Sequence, residues 1–193
     1  MRRSQCEVKD NEKIEEILRR CHIGRLATVG ADGYPYITPL NYVYWQGAIY
    51  FHCARQGEKL DNIARDARVC FEVDIPLAYK GTDCEPETPA CNVHQFYHSV
   101  VIRGRAEVVA AVEEKVAALN ALMAVHEGVA GFSRISAADP GVAACQVMAV
   151  RIERVSGKSD LAQKKSDADK ARIRAYLERR GLPGDLEAAG LIR

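Results

Sequence analysis

A lysine at the start of a predicted helix and an adjacent histidine and cysteine on a predicted strand have the clearest chemical potential. Lys59 follows Gln56-Gly57-Glu58, so its ammonium and the free N–H groups of the first helical turn can meet a phosphate. His52 and Cys53 face opposite sides of their strand, and a histidine there can deliver a proton or hold a substrate oxygen. A solvated lysine and a hydrogen-bonded core histidine are the commoner states, so these residues alone leave both interpretations open.

Two cysteines and two histidines form a second group, with the spacing C-x6-C-x2-H-x3-H. Cys84, Cys91, His94 and His98 carry thiol and imidazole groups, which are the usual ligands of zinc. The spacing is not that of a standard zinc finger, and His98 falls inside a predicted strand. The sequence therefore favours a lid loop with incidental thiols, and no metal is predicted.

The elements that must position these residues follow from two hydrophobic periods. Aromatic and β-branched runs predict six strands, at 23–29, 34–44, 48–54, 67–73, 96–109 and 144–155. Helical spacing predicts helices at 11–21, 56–65, 110–126 and 167–180. A long loop is predicted at 76–95, an irregular segment at 128–141, and a polar tail with one helix after the last strand.

The order of these elements predicts the fold class. Strands joined by short turns are antiparallel, and no regular strand–helix–strand alternation indicates a parallel sheet. We therefore predict a mainly β fold, a six-stranded antiparallel split β-barrel with peripheral α-helices. Residues 1–160 are predicted to form this domain, and residues 161–193 a C-terminal helical tail.

Composition and charge exclude several classes of function. The formal net charge of +1 does not indicate nucleic acid or an anionic membrane as a partner. No run approaches the ~18 apolar residues of a membrane span, and the N-terminus lacks the apolar core of a signal peptide, so a cytoplasmic protein is predicted. The seven irregularly spaced cysteines indicate a reducing compartment. No GxGxxG after a strand, P-loop or GxSxG elbow occurs.

An ordered set of short motifs resembles a known family. The motifs are Arg25-Leu26-Ala27-Thr28, Gly33-Tyr34-Pro35-Tyr36, Pro39-Leu40-Asn41-Tyr42, Ile49-Tyr50-Phe51-His52-Cys53-Ala54, Gly57-Glu58-Lys59-Leu60, Val69-Cys70-Phe71-Glu72-Val73, Tyr97-His98-Ser99-Val100 and Gly104-Arg105-Ala106. Together they resemble the pyridoxamine-5′-phosphate-oxidase-like FMN-binding split barrels, and within these the nitroimidazole-resistance branch. The resemblance covers about residues 1–160.

This resemblance implies a homodimer with two equivalent FMN sites at the interface, each drawing on both subunits. It implies that Lys59 binds the phosphate, that His52 faces the flavin as the catalytic residue, and that Lys158 lies near the cofactor. The other residues implied to contact FMN are Thr38, Pro39, Leu40, Asn41, Cys53 and Ala54, with Tyr97, Ser99 and Val100 from the second subunit. Strand alternation places Tyr97 and Ser99 opposite His98 and Val100, so all four reach the ring only if the strand bulges.

Three functions are compatible with the resemblance. The first, which we predict, is an FMN-dependent oxidoreductase that reduces a small acceptor such as a nitroaromatic, with NAD(P)H as the upstream electron donor. The second is pyridoxamine-5′-phosphate oxidation, which needs a second phosphate clamp, and Arg103 and Arg105 are the candidates for it. The third is a non-catalytic flavin or haem binder, in which His52, His94 or His98 offers an axial ligand.

Overall fold

The structure is a computed structural model that describes residues 3–86, 89–128 and 131–193. Its strands are β1 (Glu7–Val8), β2 (Ile23–Val29), β3 (Pro35–Asn41), β4 (Val43–Trp45), β5 (Ala48–Cys53), β6 (Arg68–Lys80), β7 (His94–Val108) and β8 (Gln146–Asp160). Its helices are α1 (Asn11–Arg20), α2 (Glu58–Arg65), α3 (Val112–Glu127), α4 (Pro140–Ala144), α5 (Asp167–Arg180) and α6 (Asp185–Leu191). Short 3-10 turns lie at Ser4–Cys6, Thr82–Cys84 and Ala90–Asn92.

The strands form one sheet in the order β3-β2-β6-β7-β8-β5-β4, and β1 pairs with β8. β2 is antiparallel to β3 and β6, and β5 is antiparallel to β4 and β8. This confirms the predicted mainly β, antiparallel fold with peripheral helices. The described chain has eight strands rather than the predicted six, because the predicted second strand divides at Tyr42 and β1 was not foreseen. Tyr42 is buried and donates its hydroxyl to the carbonyl of Leu18, 2.6 Å away, which holds the break in place.

The prediction of a loop over residues 76–95 was wrong at both ends. β6 continues through Pro76 to Lys80 and β7 already begins at His94, so the connection between them is confined to residues 81–93. Pro76 is exposed, and alternation breaks just after it, because Leu77 and Ala78 are both buried. β8 likewise runs on to Asp160, past the predicted end of the core strands.

The chain divides into two compact units. The larger contains Leu18–Val73 and Val101–Val155, and the smaller contains the segment ending at Ile17 with Asp74–Val100 and Ser156–Arg193. In the larger unit, α3 covers β4 and β5, and its core cluster includes Tyr50, Leu122 and Val147. A second packed pair there is formed by the rings of Tyr42 and Phe71, whose centroids are 4.8 Å apart.

The smaller unit has its own core, to which residues 161–193 contribute. α5 and α6 bury apolar side chains with those of β6 and β7, and the cluster is Leu77, Ala78, Phe96, Ala162, Ile173, Tyr176, Leu177, Ala188, Ala189 and Ile192. Gly184 precedes α6 with a φ of 85°, and a Cβ atom there would overlap the carbonyl oxygen of Leu77. The predicted polar tail is thus a packed helical pair, and α6 is a helix that the sequence analysis missed.

Among the described residues, no helix has both the length and the apolar character needed to cross a membrane.

Candidate functional site

A groove in the larger unit collects several of the predicted site residues. β3, the end of β5 and the first turn of α2 enclose about 180 Å³. Its lining residues are Tyr36, Thr38, Cys53, Ala54, Gln56, Gly57, Glu58, Lys59 and Leu60. Four of them, Thr38, Cys53, Ala54 and Lys59, were predicted. The other five were missed, although each lies within two positions of a predicted residue in the sequence. We call this cavity the Lys59 groove.

The first turn of α2 presents backbone donors to the Lys59 groove. Gly57 is the N-cap residue and adopts a φ of 129°. Because glycine has no side chain, no side-chain cap satisfies the N–H groups of the first turn. Further along α2, buried Asn62 donates to the Thr28 hydroxyl at 3.1 Å and accepts from Arg65 at 2.8 Å. This network fixes the helix on β2 and thereby the direction of its N-terminus.

The Lys59 ammonium lies 5.2 Å from the centroid of the Phe51 ring, and the side chain is half-buried. Within the part of the chain that the structure describes, it forms no salt bridge. Burial raises the pKa of the neighbouring Cys53 thiol, the Lys59 charge partly lowers it again, and Cys145 raises it. The groove therefore contains an ammonium without a salt bridge in the described chain, a neutral thiol and, in the same helical turn, the exposed carboxylate of Glu58.

Thr38 adds an unused polar group to this groove. Its hydroxyl oxygen is buried and has no hydrogen-bond partner among the described residues. Along β3, Thr38 and Leu40 are half-buried on one face, whereas Pro39 and Asn41 are exposed on the other. The side chains of Pro39 and Asn41 therefore point away from the face that carries Thr38, and neither lines the groove.

His52 lines a different cavity from Lys59. Its exposed side chain borders an apolar pocket of about 300 Å³ beside α3 and α4. Leu119, Leu122 and Met123 of α3 form one wall of this pocket, and Cys145 contributes to another. The separation follows from strand alternation, because Cys53, the next residue, faces the Lys59 groove. The catalytic role of His52 stays a prediction.

The remaining predicted site residues belong to the smaller unit. The Lys158 ammonium bonds the Tyr97 hydroxyl, lies 4.7 Å from the centroid of that ring, and is 3.8 Å from an oxygen of Asp160. Tyr97 and Ser99 are half-buried on one face of β7. Val100 is on the opposite face and fully buried, so its side chain packs in the core and offers no accessible surface to a ligand.

The Cys84, Cys91, His94 and His98 group is not arranged as a metal centre. Over residues 3–86, 89–128 and 131–193, no three or more His, Cys, Asp or Glu side chains converge on a point where a metal ion would fit. His98 is fully buried with Nδ1 2.6 Å from the Ser159 hydroxyl, and His94 lies 3.1 Å from Asp160.

Arg103 and Arg105, the candidates for a second phosphate clamp, are exposed on one face of β7. Neither residue lines the Lys59 groove or the pocket beside His52.

An antiparallel split barrel whose groove combines a lysine with an uncapped helix N-terminus defines a class of protein that can hold a phosphate-bearing ligand. Residues 10–159 match the family model described as pyridoxamine 5′-phosphate oxidase, so the chain belongs to that family. The match confirms the resemblance that the motifs had indicated. No curated protein sequence matches the chain.

Solved structures share the fold at low sequence identity. One described as a 5-nitroimidazole antibiotic resistance protein from Bacteroides thetaiotaomicron is 24% identical, with 79% of this chain and 86% of that chain covered and a TM-score of 0.66. A flavocytochrome from Azotobacter vinelandii is 18% identical, with 89% and 77% covered and a TM-score of 0.70. An FAD and haem binding protein from Mycobacterium smegmatis is 20% identical, with 86% and 79% covered and a TM-score of 0.67.

Proposed function

We propose that this protein is an FMN-dependent oxidoreductase that acts as a homodimer and reduces a small acceptor such as a nitroaromatic, with NAD(P)H as electron donor. The observation that carries the proposal is the Lys59 groove, where a half-buried ammonium without a salt bridge in the described chain adjoins an uncapped helix N-terminus. Both features attract a phosphate, because helix N–H groups and an ammonium form charge-assisted hydrogen bonds to its oxygens.

The groove also offers contacts and space for part of FMN beyond its phosphate. The buried Thr38 hydroxyl lacks a partner in the described chain and can bond a polar atom of the cofactor. The volume of about 180 Å³ is smaller than the ~300–1,000 Å³ of sites that bury a whole cofactor-sized molecule. One chain therefore encloses only part of FMN, which supports a second copy completing the site with Tyr97, Ser99 and Lys158.

Flavin, when bound, supplies hydride and electron transfer, and the protein supplies binding and orientation. In this proposal Lys59 binds the phosphate and Thr38 orients the cofactor. The acceptor binds where it contacts the flavin. His52 borders a pocket on the other face of β5, so in this proposal the flavin ring extends past the end of β5 to that pocket, where the imidazole can supply a proton to the acceptor. The flavin-binding names of two structural neighbours support the choice of cofactor class.

The test measures FMN binding by the full chain, with the quenching of flavin fluorescence as the readout. We expect Lys59→Ala to raise the Kd for FMN roughly 10–150-fold, because a hydrogen bond to a charged group contributes about 1.5–3 kcal/mol. Lys9→Ala, which changes an exposed lysine between β1 and α1, is the matched control and should bind as the wild type does. A wild-type protein that binds no FMN, or that shows a haem absorption band instead, would overturn the proposal.

Activity and assembly are tested on the FMN-loaded protein. NADPH oxidation should accelerate when a nitroimidazole is added, and His52→Asn should lower kcat while leaving the Kd for FMN close to that of the wild type. Sedimentation should give twice the mass of one chain. A monomer that binds FMN with the affinity of the dimer would contradict a site shared by two subunits. A rate of NADPH oxidation that does not change when nitroimidazole is added would contradict a nitroaromatic acceptor.

A further inference from the structure

The smaller unit contains a cavity of about 220 Å³ that the proposed function does not use. It lies among the N-terminal segment, the end of β6, the start of β7 and the segment that follows β8. Its lining includes Arg3, Lys80, His94, Phe96, Lys164 and Lys165. None of the residues predicted to bind FMN lines it. We call it the Lys80 cavity.

Lys80 is the most unusual residue of this cavity. It ends β6, is only 2% exposed, and its ammonium has no hydrogen-bond partner among the described residues. The nearest carboxylate oxygen belongs to Glu85, 3.5 Å away, and Glu85 also pairs with Arg172 at 3.2 Å. An ammonium has three donors. The Glu85 carboxylate offsets its charge but accepts no hydrogen bond from it, so Lys80 has donors left for a further acceptor.

The other charges around the cavity leave a positive excess. Asp160 is buried, and its two oxygens already pair with Arg3 and His94, each at 3.1 Å. Lys164 and Lys165 are exposed at the rim and form no salt bridge among the residues described, although the charge of Lys165 helps to lower the pKa of Asp169. After the Arg3–Asp160 pair is counted as neutral, the two rim lysines remain, while Lys80 shares the carboxylate of Glu85 with Arg172, so the cavity favours an anion.

The walls of the cavity limit what else the ligand can be. Phe96 and Ile173 are each 1% exposed and present apolar surface, and Val93 adds to it. A volume of about 220 Å³ lies below the ~300–1,000 Å³ of pockets for drug-sized molecules. We propose that the Lys80 cavity is a second binding site, distinct from the flavin site, for a small organic anion whose carboxylate or phosphate group accepts hydrogen bonds from Lys80.

The test is anion-dependent thermal stabilisation of the full chain at constant ionic strength, maintained with sodium chloride. Sodium malonate and sodium phosphate are the two probes, and they distinguish a carboxylate from a phosphate ligand. At ten times its Kd, the preferred probe should raise Tm by about 3–6 °C, because only the folded state binds it. Lys80→Met keeps the aliphatic stem and should abolish the shift, whereas Lys59→Ala should retain it.

Two further outcomes decide the proposal. If Lys80→Met does not fold, the exposed Lys164→Gln and Lys165→Gln variants replace it, and calorimetry should show roughly 2–5-fold weaker binding for each. No Tm shift with either probe, or an unchanged shift in Lys80→Met, would overturn the site. A shift that is lost in Lys59→Ala would assign the anion to the Lys59 groove, and would overturn this proposal while leaving that for FMN intact.

Discussion

The Lys59 groove has a lysine over the buried Phe51 ring, and the Lys80 cavity has a lysine and the buried Phe96 in its lining, but the two ammonium groups differ in exposure. Lys59 is half-buried at the start of a helix, above the Phe51 ring, where water still reaches its charge. Lys80 is almost completely enclosed at the end of a strand, in a cavity walled by Phe96, and has one carboxylate at 3.5 Å. A half-buried ammonium such as that of Lys59 loses little hydration, so it can await a ligand at small cost in free energy. An enclosed ammonium such as that of Lys80 needs an anion nearby to offset its desolvation.

The largest effects should come from removing the buried phenylalanine ring of each site. Phe51→Ala and Phe96→Ala should each lower the free energy of unfolding by about 3–5 kcal/mol, because both rings are fully buried. Urea denaturation measures the loss. Phe51→Ala should also weaken FMN binding, and Phe96→Ala the anion response. If either variant impaired both ligands equally, the two sites would not be independent.

The next effect concerns the buried hydrogen bonds of Asn62, which fix α2 on β2 and thereby orient Lys59. Asn62→Ala should lower the free energy of unfolding by about 1–3 kcal/mol, because it leaves the buried Thr28 hydroxyl without its donor and leaves Arg65 with only the carbonyl of Val29 as acceptor. FMN affinity should fall with it, since the helix that carries Lys59 loses its orientation. Asn11→Ala, at an exposed position of α1, is the control and should stay within about 0.5 kcal/mol of the wild type.

Replacing the lysines themselves should affect stability less, and in opposite directions. Lys80→Met should leave the free energy of unfolding unchanged or raise it by up to about 1 kcal/mol. The variant removes a buried charge, and Glu85 retains its salt bridge with Arg172. Lys59→Met should lower it by about 0.5–1 kcal/mol through loss of the contact with the Phe51 ring. Chemical denaturation in chloride buffer checks both, and a loss above about 2 kcal/mol for Lys80→Met would show that Glu85 already compensates the ammonium.

The smallest effect is a change in thiol reactivity in the Lys59 groove. Burial raises the pKa of Cys53 and the Lys59 charge lowers it, so Lys59→Ala should raise that pKa further. At a fixed pH near 8, less thiolate forms and alkylation of Cys53 should be slower in the variant. Mass spectrometry follows the reaction, with exposed Cys91 as the internal reference. Equal rates in both proteins would place the Lys59 charge too far from the thiol to act on it.

Much of the fold and part of the Lys59 groove could be predicted because their signals are local. The helical spacing of Ile14, Ile17 and Leu18 predicts α1, and alternating residues predict β2 and β5 almost to the residue. Lys59 could be singled out because Gly57 and a helix start lie beside it in the sequence. His52 and Cys53 were correctly placed on opposite faces for the same reason.

The missed features depend on contacts between distant segments. Pro76 suggested the end of a strand, but β6 continues because Leu77 and Ala78 are buried with residues of α5 and α6. The spacing of Ile173, Tyr176 and Leu177 was a signal for a buried helix face that the charged residues around it obscured. The burial of Lys80 had no local signal at all, because it is produced by the N-terminal segment and the residues after β8.

Gly184 shows how a residue without a side chain can be decisive for the last helix of the chain. Its left-handed backbone and its closeness to the carbonyl of Leu77 leave no space for even one extra carbon. Any other amino acid would have to displace a strand peptide before α6 could dock, so this position should tolerate sequence drift less than the charged surface of α5. Intolerance to mutation there would reflect the assembly of the smaller unit and would be easy to mistake for a role in catalysis.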